Sequence, residues 1–374
     1  MRRHPALFRE PQHEAKPTLK TFLQTPFTRR SEDLSASRRF SFAHCRRSSG
    51  PAICRRVHRS APWNPCGCRW KTRINCAMLV LWRQDMGFLS ASYTGMTAAV
   101  VTGASSGIGY ACAQTLANVG YTVFAGVRSE ADAHRVSQLH ASVRPLLLDV
   151  TAPEQIAAAV HAIRASGIPL QGVVNNSGIA VAGPLEYLPL EDFRRQFDVN
   201  VFGALAVTQA FLPLLRETQD ARVVFMSSVS GQIAPPFVGP YASSKFALEA
   251  MADALRMELA AFGIHVAVVQ PGNVRTPIWQ KGRDAKDDLV ERMPQQASVH
   301  YGHAVDSLVR ATEHEERTGI EPGVVAQAVL HAITAARPKA RYPVGNPPAW
   351  QRRLASLLPE RVRDRLILRS ITRH

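Results

Sequence analysis

Acidic side chains are in short supply in this sequence. Its 374 residues carry 29 Asp and Glu against 45 Lys and Arg, a net charge of +16. Such a balance spread over a whole chain marks a partner of nucleic acid or of an anionic membrane. The shortage is local. Residues 1–95 hold 18 basic and 5 acidic side chains, residues 96–336 hold 17 and 22, and residues 337–374 hold 10 and 2. The excess belongs to the two ends, and a uniformly basic nucleic-acid-binding domain is disfavoured.

Cysteine is also scarce. Five of six (Cys45, Cys54, Cys66, Cys68, Cys76) precede residue 96, and only Cys112 follows. A single thiol in the middle segment fits a reducing compartment. Cys66-Gly67-Cys68 is not C-x-x-C, so metal-ligand spacing is lacking and no metal site is expected. Long apolar runs are missing as well. The candidate from Cys76 to Trp82 has seven residues and ends at Arg83, against the roughly 18 needed to span a membrane. Met1-Arg2-Arg3-His4 leads into no apolar signal core. These absences give the expectation of a soluble, cytoplasmic protein.

Residues 1–95 show neither helical nor strand periodicity. Arg doublets recur among Ser and Pro (Arg29-Arg30, Arg38-Arg39, Arg46-Arg47, Arg55-Arg56), a composition that buries little apolar surface. An organellar transit peptide would be poor in acid, yet Glu10, Glu14, Glu32 and Asp33 intrude. A basic nucleic-acid-binding tail is a further alternative. The favoured reading is a disordered leader or an upstream extension, because Met96 stands directly before Thr97-Ala98-Ala99-Val100-Val101, a natural first strand.

From Met96 short apolar runs alternate with helix-length segments. Residues 98–101, 122–127, 143–148, 172–174, 222–226 and 265–269 read as buried strands. Helical patterns lie between them at about 110–119, 130–141, 153–166, 191–215 and 240–262. This alternation predicts an α/β fold, a doubly wound parallel sheet in a single domain over 96–336. Residues 337–374 then supply a terminal basic amphipathic helix. Ligands in such sheets bind beyond the carboxyl ends of the strands.

Two patterns carry chemistry. The first strand runs into Thr102-Gly103-Ala104-Ser105-Ser106-Gly107-Ile108-Gly109. Glycines there let the backbone approach a pyrophosphate at a helix N-terminus, although a plain strand-to-helix turn has the same look. The second pattern is Tyr241-Ala242-Ser243-Ser244-Lys245. Tyr and Lys four apart share a helix face, and a nearby ammonium favours phenolate over phenol, as acid/base work requires. Thirteen residues upstream, Ser228 ends the fifth strand at the same sheet edge as the glycine turn.

With these motifs in this order, the chain resembles the classical short-chain dehydrogenase/reductase family over about Met96 to Arg341. The matching residues are Thr102–Gly109, Asp149, Asn175-Asn176-Ser177-Gly178, Asn200, Ser228, Tyr241, Lys245 and Pro271-Gly272 leading to Thr276. The stretch from Gly178 to Leu215 looks most like the hydroxysteroid and retinol dehydrogenase-like branch. The resemblance implies a seven-stranded Rossmann-type sheet with a last strand near 340–344. It also implies that Tyr241 exchanges a proton with the reacting oxygen and that Ser228 polarises that oxygen. Lys245 would contact the nicotinamide ribose and tune Tyr241, and Asn200 would hold a water of the proton relay. Thr102, Gly103, Ser105, Ser106, Gly107, Ile108 and Gly109 would cradle the dinucleotide. Asp149 and Val150 would meet the adenine, and Asn175 would stabilise the sheet and line the site with Asn176, Ser177 and Gly178. Pro271, Gly272, Val274 and Thr276 would complete it. Ser177 departs from the family's usual Ala, a change small enough to keep activity.

The second strand ends in Gly126-Val127-Arg128-Ser129, with no acid to bond a ribose 2′-hydroxyl. Arg128 can instead bond a phosphate, which predicts NADP(H) over NAD(H). Residues 274–321 are expected to form a substrate lid. Its apolar Ile278, Trp279, Leu289, Met293, Tyr301 and Val305 either line a hydrophobic pocket or pack the lid on the body. A lipophilic secondary alcohol, ketone or aldehyde is the favoured substrate, with a 3-oxoacyl thioester or a sugar as alternatives. A catalytically silent dinucleotide-binding scaffold is the rival from another class, disfavoured because Asn200, Ser228, Tyr241 and Lys245 are all present. The basic helical tail (Trp350, Leu354, Leu357, Leu358, Val362, Leu366 and Ile367 among arginines) packs on the body or a second subunit, or touches a membrane surface. A homodimer or homotetramer through 191–215 and 240–262 is expected, and no nucleic-acid partner.

Overall fold

The fold follows from short strands whose two faces are both apolar. A computed structural model describes residues 97–278, 280, 291–345 and 358–372. The expected leader at 1–95 lies outside these residues, as do Trp279, Leu289, Trp350, Leu354 and Leu357. Seven parallel strands run in the order β3-β2-β1-β4-β5-β6-β7. They are β1 (Ala98–Val101), β2 (Thr122–Val127), β3 (Val143–Leu147), β4 (Leu170–Asn175), β5 (Arg222–Met226), β6 (His265–Pro271) and β7 (Arg341–Val344). The helices are α1 (Gly107–Asn118), α2 (Glu130–Ser137), α3 (Pro153–Ala165), α4 (Leu190–Phe197), α5 (Ala204–Arg216), α6 (Gly239–Leu259), α7 (Gln295–Thr318), α8 (Pro322–Thr334) and α9 (Glu360–Thr372).

Strand alternation divides the core in two. Ala98 and Val100 face a cluster with Ile156 and Ile163 of α3, Phe211 and Leu215 of α5, and Leu248 of α6. Ala99 and Val101 face Leu116 of α1, Val136 of α2, and Val329 and Ile333 of α8. Each such aliphatic side chain contributes about 1.5–3 kcal/mol on burial, and this two-sided cover holds the strand ends in register. Glycine permits one close approach: a Cβ on Gly172 would come within 2.7 Å of Ile333 Cδ1. Cys112 sits fully buried in the second cluster, and burial pushes its thiol up to about 12, which leaves it inert at neutral pH.

The segment expected as one helix over 191–215 is interrupted. A π-helical turn, Asp198–Gly203, separates α4 from α5. Leu190–Arg216 as a whole is long and apolar enough to cross a membrane, but 56% of its most apolar window is buried inside the protein. It is a core helix here.

The two ends of the segment expected as a lid, 274–321, are joined. Val274 bridges Ile320, Ile320 N donates to Asn273 O at 3.0 Å, and Arg275 N donates to Ile320 O at 3.0 Å. Its far side is tied to the body. Arg292 pairs with the buried Asp192 at 2.7 Å, and Tyr301 donates to Glu186 at 2.7 Å. The two alternatives for its apolar residues both occur: Ile278 lines the cleft described below, whereas Met293 packs against Val181 and Leu188. The side chain of Val305 lies outside the described set.

Candidate active site

The carboxyl ends of β1 to β6 open on one cleft of about 320 Å³. Most residues singled out in the sequence line it: Gly103, Ser105, Ser106, Gly107, Ile108, Arg128, Asp149, Val150, Asn176, Ser177, Gly178, Ser228, Tyr241, Lys245, Pro271, Gly272, Val274 and Thr276. Four others, Thr102, Gly109, Asn175 and Asn200, stand behind the wall.

The glycine turn is built for close approach. Gly103 and Gly107 have φ of +63° and +56°, a conformation that glycine adopts without strain. A Cβ on Gly103 would meet Ser177 Cα and Oγ at 3.0 Å, so the Ser at 177 packs directly on the turn. Thr102 works from behind: its Oγ1 accepts from the backbone N of Asn176 at 3.0 Å and of Ser177 at 2.9 Å. Asn176 Nδ2 returns two bonds, to Thr102 O at 3.0 Å and Gly103 O at 3.1 Å. Thr102 and Asn176 thus latch the turn to the end of β4. Helix α1 then starts at Ser106 with no side-chain cap and no acid in its first turn. Its leading N–H groups and positive end face the cleft, which fits the diphosphate of a dinucleotide. Arg135 braces the turn from outside by donating to Ser105 O at 2.6 Å. No local signal in the sequence marks that residue, thirty positions away.

At the end of the cleft formed by β2 and β3, Ser129 caps α2 by accepting from Asp132 N at 3.1 Å. This cap fixes Arg128 at the exit of β2, exposed on the cleft rim. Opposite, Asp149 Oδ1 accepts from Thr151 N at 2.9 Å and Thr151 Oγ1 at 2.7 Å. Burial pushes the Asp149 carboxyl up, but the Thr151 bonds and the Arg128 guanidinium outweigh it and hold the carboxyl below its usual range. Asn175 does not reach the cleft. Its Nδ2 donates to Thr208 Oγ1 at 2.9 Å and ties β4 to α5, because the last residue of β4 points into the core.

Ser228, Tyr241 and Lys245 converge at the other end, 8%, 7% and 5% exposed. Ser228 Oγ accepts from Ser230 N at 3.1 Å and hydrogen-bonds the Tyr241 hydroxyl. Lys245 Nζ donates to Met226 O at 2.8 Å and lies 5.6 Å from the Tyr241 ring centroid. The expected lowering of Tyr241 by an ammonium is corrected here. Burial pushes the phenol up, and the pull downward comes from Ser228. Burial also drives Lys245 down to about 8, against an upward pull from Glu249. Desolvation acts on both partners of the pair, which spacing along a helix does not reveal.

Asn200 lies in the π-turn. Its Oδ1 accepts from Ile179 N at 2.9 Å, and Nδ2 donates to Ile179 O at 3.1 Å and Ser244 Oγ at 3.1 Å. The side-chain amide is thus committed to protein partners. Asn200 positions Ile179 and α6 in this arrangement. Residues outside the motifs complete the cleft: Ile179, Val199, Val229, Pro235, Val238 and Ile278 give it an apolar wall. Apart from Ile278, read from the sequence as a possible pocket residue, no spacing rule marks them: Ile179, Pro235 and Val238 lie on loops, Val199 in the π-turn and Val229 in a 3-10 turn. Among the described residues, no His, Cys, Asp and Glu group fits a metal ion.

Comparison with known proteins agrees with this geometry. The family model for short chain dehydrogenase matches residues 97–287. The chain is 34% identical over 283 residues to the NADPH-dependent 3-dehydrocapnine reductase of Ornithobacterium rhinotracheale, covering 74% of this chain and 98% of that protein. It is 35% identical over 280 residues to retinol dehydrogenase 5 of Mus musculus, covering 71% and 86%. A solved short chain dehydrogenase/reductase from Burkholderia phymatum in complex with NAD matches with a TM-score of 0.61 at 26% identity, over 70% of this chain and 93% of that one. With the glycine turn, the buried Ser-Tyr-Lys group and these relatives together, the chain belongs to the short-chain dehydrogenase/reductase family and is an NAD(P)-dependent oxidoreductase of alcohol and carbonyl groups.

Proposed function

We propose that this chain is an NADP(H)-dependent oxidoreductase that interconverts a lipophilic secondary alcohol with its ketone, or an alcohol with its aldehyde. The observation that carries the reading is the buried Ser228–Tyr241–Lys245 group opening on an apolar wall. The cleft would hold a nicotinamide, whose chemistry would be to supply or take up hydride. The remaining work is done by the chain. Ser228 donates a hydrogen bond to the substrate oxygen and orients it toward Tyr241. Tyr241 gives its proton to that oxygen in reduction and receives it in oxidation. Lys245 would hold the ribose side of the cofactor, and it relays a proton between Tyr241 and solvent water. Asn200 keeps the Ile179 loop and α6 in place around them. The apolar wall excludes water from the reacting atoms. A panel of lipophilic alcohols and ketones followed by nicotinamide absorbance, with a 3-oxoacyl thioester and a sugar beside them, tests the substrate class. Turnover of the last two alone would sink it.

The preference for the 2′-phosphate rests on Arg128, which stands at the cleft rim where a carboxylate would repel a phosphate. One relative is NADPH-dependent and one solved relative holds NAD, so the choice turns on this position. Arg128→Ala is expected to weaken NADPH roughly tenfold, the size of one charge-assisted bond of about 1.5 kcal/mol, and to leave NADH within about twofold. Equal losses for both cofactors, measured as kcat/KM, would refute the assignment.

Two surfaces extend the reading. Phe202 in the π-turn, Phe246 and Met257 on α6 and Phe262 just beyond its end are exposed, apolar surface that supports a homodimer or homotetramer. Helix α9 exposes Val362, Leu366 and Leu368 among Arg361, Arg363, Arg365 and Arg369, which supports peripheral contact with an anionic bilayer. Co-sedimentation with anionic vesicles is expected to fall when residues 347–374 are deleted, and identical binding by both chains would dispose of that contact.

A further inference from the structure

One buried carboxylate beside Lys245 has no part in the chemistry above. Glu249 follows Lys245 by one turn of α6, so the two share a face of the helix, and Glu249 is 7% exposed. Two other strands fix it. Gln270 Nε2, near the end of β6, donates to Glu249 Oε1 at 2.9 Å. Arg341 Nε, at the start of β7, donates to Glu249 Oε2 at 3.0 Å. The same Arg341 reaches Asp253 Oδ2 through Nη2 at 2.7 Å, and Asp253 also pairs with Arg256. Gly231 lets this part of α6 close on the end of β5. A Cβ there would lie 2.7 Å from Ser227 Oγ, 3.1 Å from Glu249 Cγ and 3.2 Å from Lys245 O.

We propose that Glu249, held by Gln270 and Arg341, is a positioning residue that sets the ionisation of Lys245. The Lys245 ammonium is bonded to a carbonyl, that of Met226, which supplies a dipole and no full charge. The groups near it are Tyr241, whose ring centroid lies 5.6 Å away, Glu249 one turn along α6, and Asn200 on the π-turn. A Cβ on Gly178 would lie 3.4 Å from Asn200 Oδ1 and 3.8 Å from Lys245 Nζ. Glu249 is the carboxylate of this set, and its charge in a low-dielectric interior favours the ammonium. Arg341 acts with the opposite sign because it neutralises the same carboxylate. Glu249 and Arg341 therefore form a push and a pull on one lysine, set by β7, the strand farthest along the sheet from the glycine turn. The upward pull of Glu249 on Lys245, against burial, agrees with this arrangement.

The inference rests on the proposed role of Lys245 only for its effect on turnover, and the test keeps the two apart. The chain has seven lysines, so the 13Cε resonances of labelled lysine can be followed with pH in the cofactor-free protein and Lys245 assigned with Lys245→Arg. Glu249→Gln keeps an acceptor for Gln270 and removes the charge. It is expected to lower the Lys245 midpoint by about one pH unit. Arg341→Met is expected to raise it, and Glu249→Asp to return it toward the starting value. The alkaline limb of the reduction profile should move in the same directions. Midpoints that stay fixed, or move the same way in both variants while only Tm falls, make Glu249 a structural residue and overturn the proposal. Should Glu249→Gln not fold, the direction of the Arg341→Met shift decides alone. Midpoints that move as expected under an unchanged rate profile support Glu249 and overturn the relay role of Lys245.

Discussion

Tyr241→Phe is expected to lower kcat by roughly 10²–10⁴-fold, the range of a general acid removed from a reacting site, and to leave the dinucleotide Kd within about twofold. The ring is 7% exposed and packed at the N-terminal end of α6, so phenylalanine keeps the packing and loses only the hydroxyl. That hydroxyl is the group that Ser228 contacts. Turnover measured by nicotinamide absorbance, beside cofactor titration by fluorescence, separates chemistry from binding. Full turnover in the variant would mean that another group carries the proton.

Gly109→Ala is the second large effect, and its sign is diagnostic. In a helix interior Ala normally exceeds Gly in stability by about 1 kcal/mol. Here a Cβ would overlap the Gly103 carbonyl and the Asn176 side-chain amide, both part of the latch that holds the glycine turn. Backbone at one contact and a doubly bonded amide at the other have no room to give. We expect a loss of about 1–3 kcal/mol, typical of overpacking, and a dinucleotide affinity at least about tenfold weaker. Gly323 provides the contrast. Nothing lies within 4 Å of a Cβ at that position in the first turn of α8, so Gly323→Ala should hold or gain stability. Urea unfolding and isothermal titration read both variants. A stabilised Gly109→Ala with normal affinity would remove the latch from the argument.

The elements were legible because their signals are local. Apolar runs bounded by turns gave six strands within a few residues, and the glycine turn and the Tyr-Lys pair fell where their spacing placed them. The misses have physical causes. Strand β4 runs over Leu170–Asn175 rather than 172–174 because a fully buried Gln171, bonded to Tyr121 at 2.8 Å, breaks the apolar run. The helix over 191–215 contains a π-turn because it carries Asn200 to Ile179, and a turn with an extra residue leaves the apolar pattern almost unchanged. Asn175, read as lining the site, points to Thr208 instead. Arg135 and Glu249 were invisible. Their partners lie 30 and 92 positions away in Ser105 and Arg341, and exposed arginines and helix glutamates are ordinary residues by pattern.

By itself, the order of residues determined the doubly wound sheet, the edge at which a dinucleotide binds, and the Ser, Tyr and Lys that meet there. Each depends on spacing within one element or on strand order, and both are written along the chain. Tertiary packing alone decided what those residues are like once assembled. Tyr241 is raised and Lys245 lowered to about 8 because both lie buried, and Thr102 became a latch because β4 ends beside it. Protonation and hydrogen-bond choice depend on the dielectric and on neighbours supplied by distant segments, and those are fixed only when the sheet has closed around them.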